Sequence, residues 1–265
     1  MAADALFVPD GACFVPTELA RGPWSPVALH GGPPAALVAR CCERAEGGAG
    51  MRLVRLTVEL VRPVPLAPLD VTTRLARPGK KVQLVEASVR AGDVEVLRAV
   101  ALRIRRADLP LPADLPREAP PPAPDAGTTT MPPWSEAVWR PAFHADAVEH
   151  RFVAGGFDSP GPSTDWIRLR VPLVAGEPTS GACRAVAAAD FGNGISWMLD
   201  RADGWQFINP DLTVTLHREP AGEWICLDAV TRPEADGIGM AESRLWDVRG
   251  PVGRAVQTLL LERTR

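Results

Sequence analysis

An internal repeat is the feature that most constrains the fold of this chain. Three short stretches recur at a nearly constant offset: residues 56–60 (LTVEL) at 212–216 (LTVTL), residues 77–78 (RP) at 232–233, and residues 98–100 (RAV) at 254–256. The first and third pairs are 156 positions apart and the second is 155 apart. Such self-similarity indicates that the chain consists of two copies of one structural unit.

A proline-rich stretch separates the two copies. Residues 107–133 read ADLPLPADLPREAPPPAPDAGTTTMPP. Proline removes a backbone donor and fixes φ, so this stretch suits neither a helix nor a central strand. The sequence therefore predicts an N-terminal unit at 1–106, a linker at 107–133 and a C-terminal unit at 134–265.

Both units have the same predicted order of elements, an early strand, a helix and then four extended segments. In the first unit, glycines and prolines at 31–34 precede the helix AALVARCCERA, where prolines suit a first turn. In the second unit, we expect the helix to run from about Asp190 to Ala202. The extended segments are predicted at 52–62, 69–77, 82–91 and 94–105, and at 211–218, 224–231, 241–248 and 253–262. A helix followed by antiparallel strands predicts an α+β layer with the sheet wrapped around a long central helix.

Composition argues against several classes of function. The formal net charge is -3, from 29 basic and 32 acidic residues, which does not favour nucleic acid or a membrane surface. No apolar run approaches the roughly 18 residues of a membrane span, and the N-terminus lacks a signal-peptide pattern. The five cysteines have no zinc-ligand spacing. We therefore expect a soluble, cytoplasmic protein without a metal or cofactor.

Several stretches resemble the bacterial acyl-CoA thioesterase II family. The sequence HGGPPAALVARCCERA is similar to the family's FGGQ-type helix start, and residues 55–89 resemble its strand, turn, strand segment with an RPG turn. In the second unit, residues 148–151 and 166–168 look like its entry strands, and AAADFG at 187–192 resembles a helix start that carries an aspartate. The resemblance implies a tandem double hotdog fold, hydrolysis of acyl-CoA to a fatty acid and CoA in fatty acid metabolism, and a homo-oligomer formed through sheet edges or faces.

The same resemblance implies three catalytic residues. The family's hydrolytic centre uses an aspartate at the second helix start, a hydroxyl residue ahead of the next strand and a glutamine in the last strand. Asp190 and Gln257 match the first and third positions. Asn209 stands at the second position, where the family has threonine, and Thr213 would take that place only if the alignment shifted.

The repeat gives an independent comparison of the two units. The strand offset places Asn209 opposite Leu53 and Gln257 opposite Ala101, and matching the predicted helix ends places Pro33 opposite Asp190. All three polar candidates of the second unit thus have apolar counterparts. This one-sided pattern predicts one active unit and one degenerate unit.

The predicted chemistry is hydrolysis of a thioester by an activated water. Backbone N–H groups at a helix start stabilise an oxyanion, and Gly192, Gly194 and Gly32 would let backbone and substrate approach closely, so we assign them to substrate binding. Asp190 would act as general base or orient the water, while direct attack by Asp190 to form an anhydride is the competing mechanism.

Each candidate also has a purely structural interpretation. Asp190 is a preferred N-cap residue, Gln257 is compatible with an outward position on its strand, and Asn209 before Pro210 is a common turn pair. His217 fits a surface or packing position. For the whole chain, the alternatives are a non-catalytic acyl-CoA or lipid binder and acyl transfer on a carrier protein.

Overall fold

The computed structural model describes residues 4–116, 118–129 and 139–263. Its strands are β1 (Phe7–Asp10), β2 (Cys13–Pro16), β3 (Met51–Glu59), β4 (Leu69–Pro78), β5 (Val82–Ala91), β6 (Val94–Arg105), β7 (Val148–Ala154), β8 (Ser163–Leu169), β9 (Trp205–Ile208), β10 (Asp211–Leu216), β11 (Trp224–Pro233), β12 (Ile238–Asp247) and β13 (Gly250–Arg263). Its α-helices are α1 (Gly32–Arg44), α2 (Gly181–Ala189) and α3 (Gly192–Ile195).

The strands of the described residues join in one antiparallel sheet with matching halves. The order is β1-β2-β4-β5-β6-β3-β10-β13-β12-β11-β8-β7, and β9 pairs with β13 beside this path. The first six strands come from the first unit and the last six from the second. Alternate residues on the inner face are buried, as in β13, where Ala255, Gln257 and Leu259 point inward. This arrangement fits the predicted double hotdog.

The two units meet where β3 pairs with β10. In this register Thr57 lies opposite Thr213, and the hydroxyl oxygens of the two threonines are 3.2 Å apart. These residues are also equivalent in the sequence repeat, because 156 positions separate them. An approximate two-fold axis therefore passes through the Thr57–Thr213 pair and relates the two copies.

Helices α1 and α2 pack side by side in opposite directions. Ser180, before the start of α2, donates to the carboxylate of Glu43 near the end of α1 at 2.7 Å. At the other end of the pair, a Cβ placed on Gly32 would lie 2.5 Å from the carbonyl oxygen of Ala187. Gly32 is therefore required for the close approach of the two helices.

The predicted helix from Asp190 to Ala202 is wrong. Helix α2 instead ends at Ala189, α3 has four residues, and a separate 3-10 turn occupies Arg201–Asp203. The helix begins earlier because the hydroxyl of Ser180 accepts a hydrogen bond from Cys183 N at 3.1 Å, which makes Ser180 the N-cap of an alanine-rich segment. A long central helix is thus not found in the second unit. The pairing of Pro33 with Asp190 also fails, because it assumed that the helix ended near residue 202.

Other segments cover both outer strands of the sheet. Leu6 and Phe7 donate to the carbonyl groups of Pro172 and Leu173 beside β1. At the opposite edge, Thr128 exchanges two backbone hydrogen bonds with Phe152 of β7.

The domain boundaries remain a prediction, and residues 117 and 130–133 of the predicted linker lie outside the described residues. Among the described helices, none is long and apolar enough to cross a membrane.

Candidate active site

Asp190 lies at the junction of the two units. It follows the last residue of α2, and its side chain, which is 5% exposed, is directed toward the start of α1. A Cβ on Gly31 would lie 2.8 Å from Asp190 Oδ2, so the carboxylate rests against the α1 backbone. Asp190 is not the N-cap of α3, because Phe191 holds that position and no side chain caps it.

The carboxylate of Asp190 brings the three predicted residues together. Asn209 Nδ2 donates to Asp190 Oδ1 at 2.9 Å, and Gln257 Nε2 donates to the same oxygen at 3.1 Å. Asn209 comes from the turn between β9 and β10, and Gln257 from the inner face of β13. Three segments far apart in sequence therefore converge on one carboxyl group.

Gln257 holds the backbone around Asp190 in place. Its Nε2 also donates to the carbonyl oxygen of Asp190 at 3.2 Å, and its Oε1 accepts from Asn193 N at 3.2 Å. The residue is only 2% exposed, which rules out an outward position on its strand. Both ends of the Gln257 amide are thus engaged by the segment that carries Asp190.

His30 is a fourth member of the site that the sequence interpretation missed. Its Nδ1 lies 2.8 Å from Asp190 Oδ2 and 3.2 Å from Gly32 N. The Gly32 N–H is directed both toward Nδ1 and toward the Asp190 carboxylate. We assign the proton to Nδ1 because the carboxylate is its nearer neighbour and requires a donor, so the Gly32 N–H then donates to Asp190 and not to Nδ1. The available signal was that His30 stands where the FGGQ-type helix start carries phenylalanine.

The surroundings keep Asp190 ionised. Burial raises the pKa of the Asp190 carboxyl, but the opposing effects of His30, Asn209 and the Gly32 N–H outweigh burial and hold its pKa below the usual range. The start of α1 adds the positive end of a helix dipole. Asp190 is therefore a carboxylate at neutral pH, although it is almost fully shielded from solvent.

Two aromatic rings pack against the ring of His30. The ring centroids of Phe143 and Phe191 lie 5.1 and 4.7 Å from that of His30. His144 is a further buried histidine beside them, and burial, with the charges of His30 and His150, lowers the pKa of His144 to about 3. His144 is therefore neutral at ordinary pH.

A cavity of about 160 Å³ opens beside these residues. Its base includes His30, Asp190 and Gln257, and Trp24 and Arg201 stand at its exposed mouth. The remaining lining residues are Pro23, His144, Phe157, Asp158, Phe191, Asn193, Gly194, Trp197, Leu199, Asp200, Phe207 and Asn209. A larger groove of about 1020 Å³, on the outer side of β3 and β6, contains none of the four site residues.

The three predicted substrate-binding glycines occupy different places. Gly194 lines the cavity, and a Cβ there would meet no atom within 4 Å. Gly192 lies behind the site, where a Cβ would be 2.9 Å from Gln257 Oε1 and from Ser243 Oγ. Gly32 lies between the two helices rather than at the cavity wall.

The opposite end of the helix pair holds a related but different arrangement. There the buried acid is Glu43, which accepts hydrogen bonds from Ser180 Oγ at 2.7 Å and from Cys183 Sγ at 3.5 Å. The guanidinium of Arg103 donates to the carbonyl groups of Cys42, Ala45 and Glu46 at the end of α1. This end therefore has a helix-capping arginine, and among the described residues no side-chain amide donates to Glu43, since the Gln83 amide bonds to Arg103 and to Gly47 O instead. In the part of the chain that the structure describes, no group of His, Cys, Asp and Glu side chains is arranged to hold a metal ion.

Comparison with protein families gives two matches in sequence order. Residues 20–104 match the acyl-CoA thioesterase N-terminal domain, and residues 112–261 match the acyl-CoA thioesterase C-terminal domain. A comparison with curated proteins gives no match.

Solved structures share the fold along almost the whole chain. A protein from Novosphingobium aromaticivorans, described as a thioesterase, superposes with a TM-score of 0.75 at 22% identity, covering 97% of this chain and 98% of its own. A hot dog fold protein from Alicyclobacillus acidocaldarius gives 0.72 at 16% identity, covering 100% and 98%. The acyl-CoA thioesterase II TesB2 from Mycobacterium marinum gives 0.65 at 15% identity, covering 89% and 90%.

Proposed function

The chain belongs to the acyl-CoA thioesterase family, and from that membership and the site geometry we propose that it hydrolyses acyl-CoA to a free fatty acid and CoA with an activated water. The observation that carries this proposal is the buried Asp190 carboxylate, which two amides hold at the base of a cavity. An ionised group shielded from water is costly unless its surroundings are arranged to hold it. Such an arrangement beside a cavity is typical of a functional site.

The geometry favours water over Asp190 as the nucleophile. Hydrogen-bond donors from His30, Asn209, Gln257 and Gly32 engage both oxygens of the carboxylate. Direct attack on the thioester would require Asp190 to give up some of these bonds inside a dry site. The anhydride mechanism is therefore the less favourable of the two.

Asn209 is suited to stabilise the oxyanion that forms during attack. A primary amide carries two N–H bonds, and Asp190 takes one of those of Asn209. The side chain also lines the cavity, so its second N–H is positioned to donate to a thioester carbonyl there. In this proposal, Gln257 positions Asp190 and Asn209 contacts the substrate.

Thiol release from a panel of acyl-CoA substrates tests the proposed function. We expect turnover by the wild type and a decrease in kcat of about 10²–10⁴-fold for Asp190→Asn, the usual range for loss of acid–base assistance. Glu43→Gln is the matched control, because it changes the buried acid at the opposite end of the helix pair. Saturable acyl-CoA binding without hydrolysis, unchanged in Asp190→Asn, would instead identify a non-catalytic binder.

A further inference from the structure

We infer that His30, contributed by the first unit, is the general base of the reaction and that Asp190 orients it. This inference rests on the proposed thioester hydrolysis. It assigns the proton transfer to a residue that the family resemblance did not single out, and it gives the first unit a direct part in the chemistry.

The first step of the argument concerns Asp190. A carboxylate has about four acceptor positions, and four donors approach this one. An acceptor whose lone pairs are engaged has little capacity left to take a proton from water. The environment of Asp190 thus suits a fixed negative charge rather than a base.

The second step concerns the two nitrogens of His30. Nδ1 faces Asp190 at 2.8 Å and carries the proton, so Nε2 of the neutral ring holds the free lone pair. Within the described residues, no hydrogen bond to Nε2 is formed, and Nε2 is not among the fully enclosed atoms. Because His30 lines the cavity, Nε2 is the atom that can meet a water molecule there.

A second histidine–aspartate pair shows that contact with an aspartate alone does not give a histidine access to the cavity. His150 Nδ1 lies 2.5 Å from Asp165 Oδ2, and both side chains are buried. His150 does not line the cavity, and its Nε2 is enclosed without a hydrogen-bond partner in the described parts of the chain. The two pairs share their contact, but only the His30–Asp190 pair combines a fixed ring with access to the cavity.

The proposed reaction transfers one proton through His30. Nε2 accepts a proton from water while the water oxygen bonds to the thioester carbon, and Asn209 donates to the resulting oxyanion. When the intermediate collapses, the C–S bond breaks and the imidazolium returns the proton to the departing sulfur. The products are the carboxylic acid, which loses its proton to solvent, and the CoA thiol. Asp190 remains ionised and stabilises the imidazolium throughout, as in a hydrolase triad.

The first test substitutes the histidine with a side chain that keeps the contact to Asp190. His30→Gln retains an N–H donor but has no basic nitrogen, so we expect kcat to fall about 10²–10⁴-fold while the melting temperature changes little. His217→Gln is the matched control, since His217 is exposed beyond β10. Wild-type kcat in His30→Gln, together with loss of activity in Asp190→Asn, would overturn the role of His30 while leaving the proposed hydrolysis intact.

The second test distinguishes the loss of a base at position 30 from the loss of a structural side chain there. Added imidazole should restore activity to His30→Ala in a concentration-dependent manner, because the ring is smaller than benzene, which a cavity of about 150 Å³ accepts. Imidazole should leave Asp190→Asn unchanged. An inactive His30→Ala that imidazole does not rescue would contradict the inference.

The third test is the pH dependence of kcat/KM. Activity that requires a neutral imidazole has an acidic limb that disappears with the imidazole, whereas activity that requires only the Asp190 carboxylate, whose pKa lies below the usual range, keeps its limb at low pH. The charged and titratable groups facing the His30 ring are Asp190 and His144, with His150 beyond Phe191. The same acidic limb in the wild type and in His30→Gln would overturn the role of His30, and no turnover by the wild type on any thioester would overturn both proposals.

Discussion

At the scale of single residues, two glycines of α3 face opposite constraints. A Cβ at Gly192 would lie 2.9 Å from the Gln257 amide oxygen, whereas a Cβ at Gly194 would enter open space. The backbone of neither residue has a positive φ, so a side chain does not strain the chain at either position. The difference between them lies in what the new side chain meets.

This difference predicts opposite outcomes for the same substitution. Gly192→Ala should displace Gln257 and lower kcat at least about tenfold, because Gln257 positions Asp190 and small misplacements are costly to catalysis. Gly194→Ala should keep near wild-type kcat, and the alanine should stabilise the helix by up to about 1 kcal/mol. Steady-state kinetics and thermal unfolding of the two variants check this. Equal losses of activity would contradict it.

Gly194 also provides a test of acyl size. A leucine there would occupy part of a cavity of about 160 Å³, close to the volume that accepts benzene. We expect Gly194→Leu to lose kcat/KM for hexanoyl-CoA at least about tenfold more than for acetyl-CoA, since a misplaced methylene costs about 10–200-fold. The matched control is Ala113→Leu, which adds the same group to an exposed position. A uniform loss across chain lengths would show that the acyl group does not lie against Gly194.

The sequence predicted part of this site. Asp190, Asn209 and Gln257 were found through the family resemblance, and they do converge on one carboxylate. Their catalytic roles stay predictions. The departure from the family's phenylalanine marked position 30, but the contact of His30 with Asp190 could not be predicted, because it joins positions 160 residues apart through the packing of α1 against α2. No local pattern records such a contact.

At the scale of elements, the helix of the second unit shows that a local sequence pattern did not suffice to predict where a helix forms. Residues 194–199 (GISWML), inside the predicted helix, are mostly apolar, as a buried helix should be, yet only Gly192–Ile195 is helical there. The alanine-rich segment after Ser180 has the stronger helix propensity and a capping hydroxyl, and it forms α2 instead. The strands were predicted well because their β-branched alternation repeats in both units.

The buried acid at the end of α1 predicts a pH-dependent stability. Burial raises the pKa of Glu43 above its usual value, and the opposing hydrogen bond from Ser180 does not fully compensate. A carboxyl whose pKa is raised on folding binds more protons in the native state, so stability falls as pH rises above about 4.5 through the folded-state pKa. Ionisation of Glu43 thus costs stability at neutral pH.

Glu43→Gln should therefore be more stable than the wild type at pH 8, since the amide oxygen can still accept from Ser180. The difference should shrink as pH falls toward 4, where Glu43 is protonated. Urea unfolding of both proteins at pH 4, 6 and 8 measures it. A constant difference across this range would show that the ionisation of Glu43 does not contribute.

At the scale of the whole molecule, the repeat was the most informative part of the sequence. The 156-residue offset recurs in space as the Thr57–Thr213 pair at the centre of the sheet. The repeated pattern therefore predicted both the number of units and their symmetric pairing. The repeated pattern did not predict where α1 and α2 end, because the two helices differ in length and in sequence.

The outer face of the sheet is the place where we expect copies of the chain to associate. Segments of the chain cover β1 and β7, which leaves the edges less available for pairing. On the outer face, Leu260 pairs with both Ile208 and Ile238, and each of the three side chains is about half exposed. Such an apolar row favours burial against another molecule.

The homo-oligomer therefore remains a prediction, and the apolar row around Leu260 is the surface through which we expect the copies to associate. Light scattering should give a mass above that of one chain, 28.4 kDa, and Leu260→Lys should shift it toward the monomer. Val94→Lys is the control, because Val94 is equally exposed but lies on β6 of the other unit. A wild type that is monomeric at all concentrations would contradict the prediction.

The joining of the two units in one polypeptide has an evolutionary consequence. In a dimer of identical subunits, every mutation appears at both ends of the helix pair, so a change that improves catalysis at one end must be tolerated at the other. Gene duplication and fusion remove this constraint. In this chain one end of the helix pair carries His30 and Asp190 while the other carries Arg103 as a helix cap, a combination that two identical subunits cannot form.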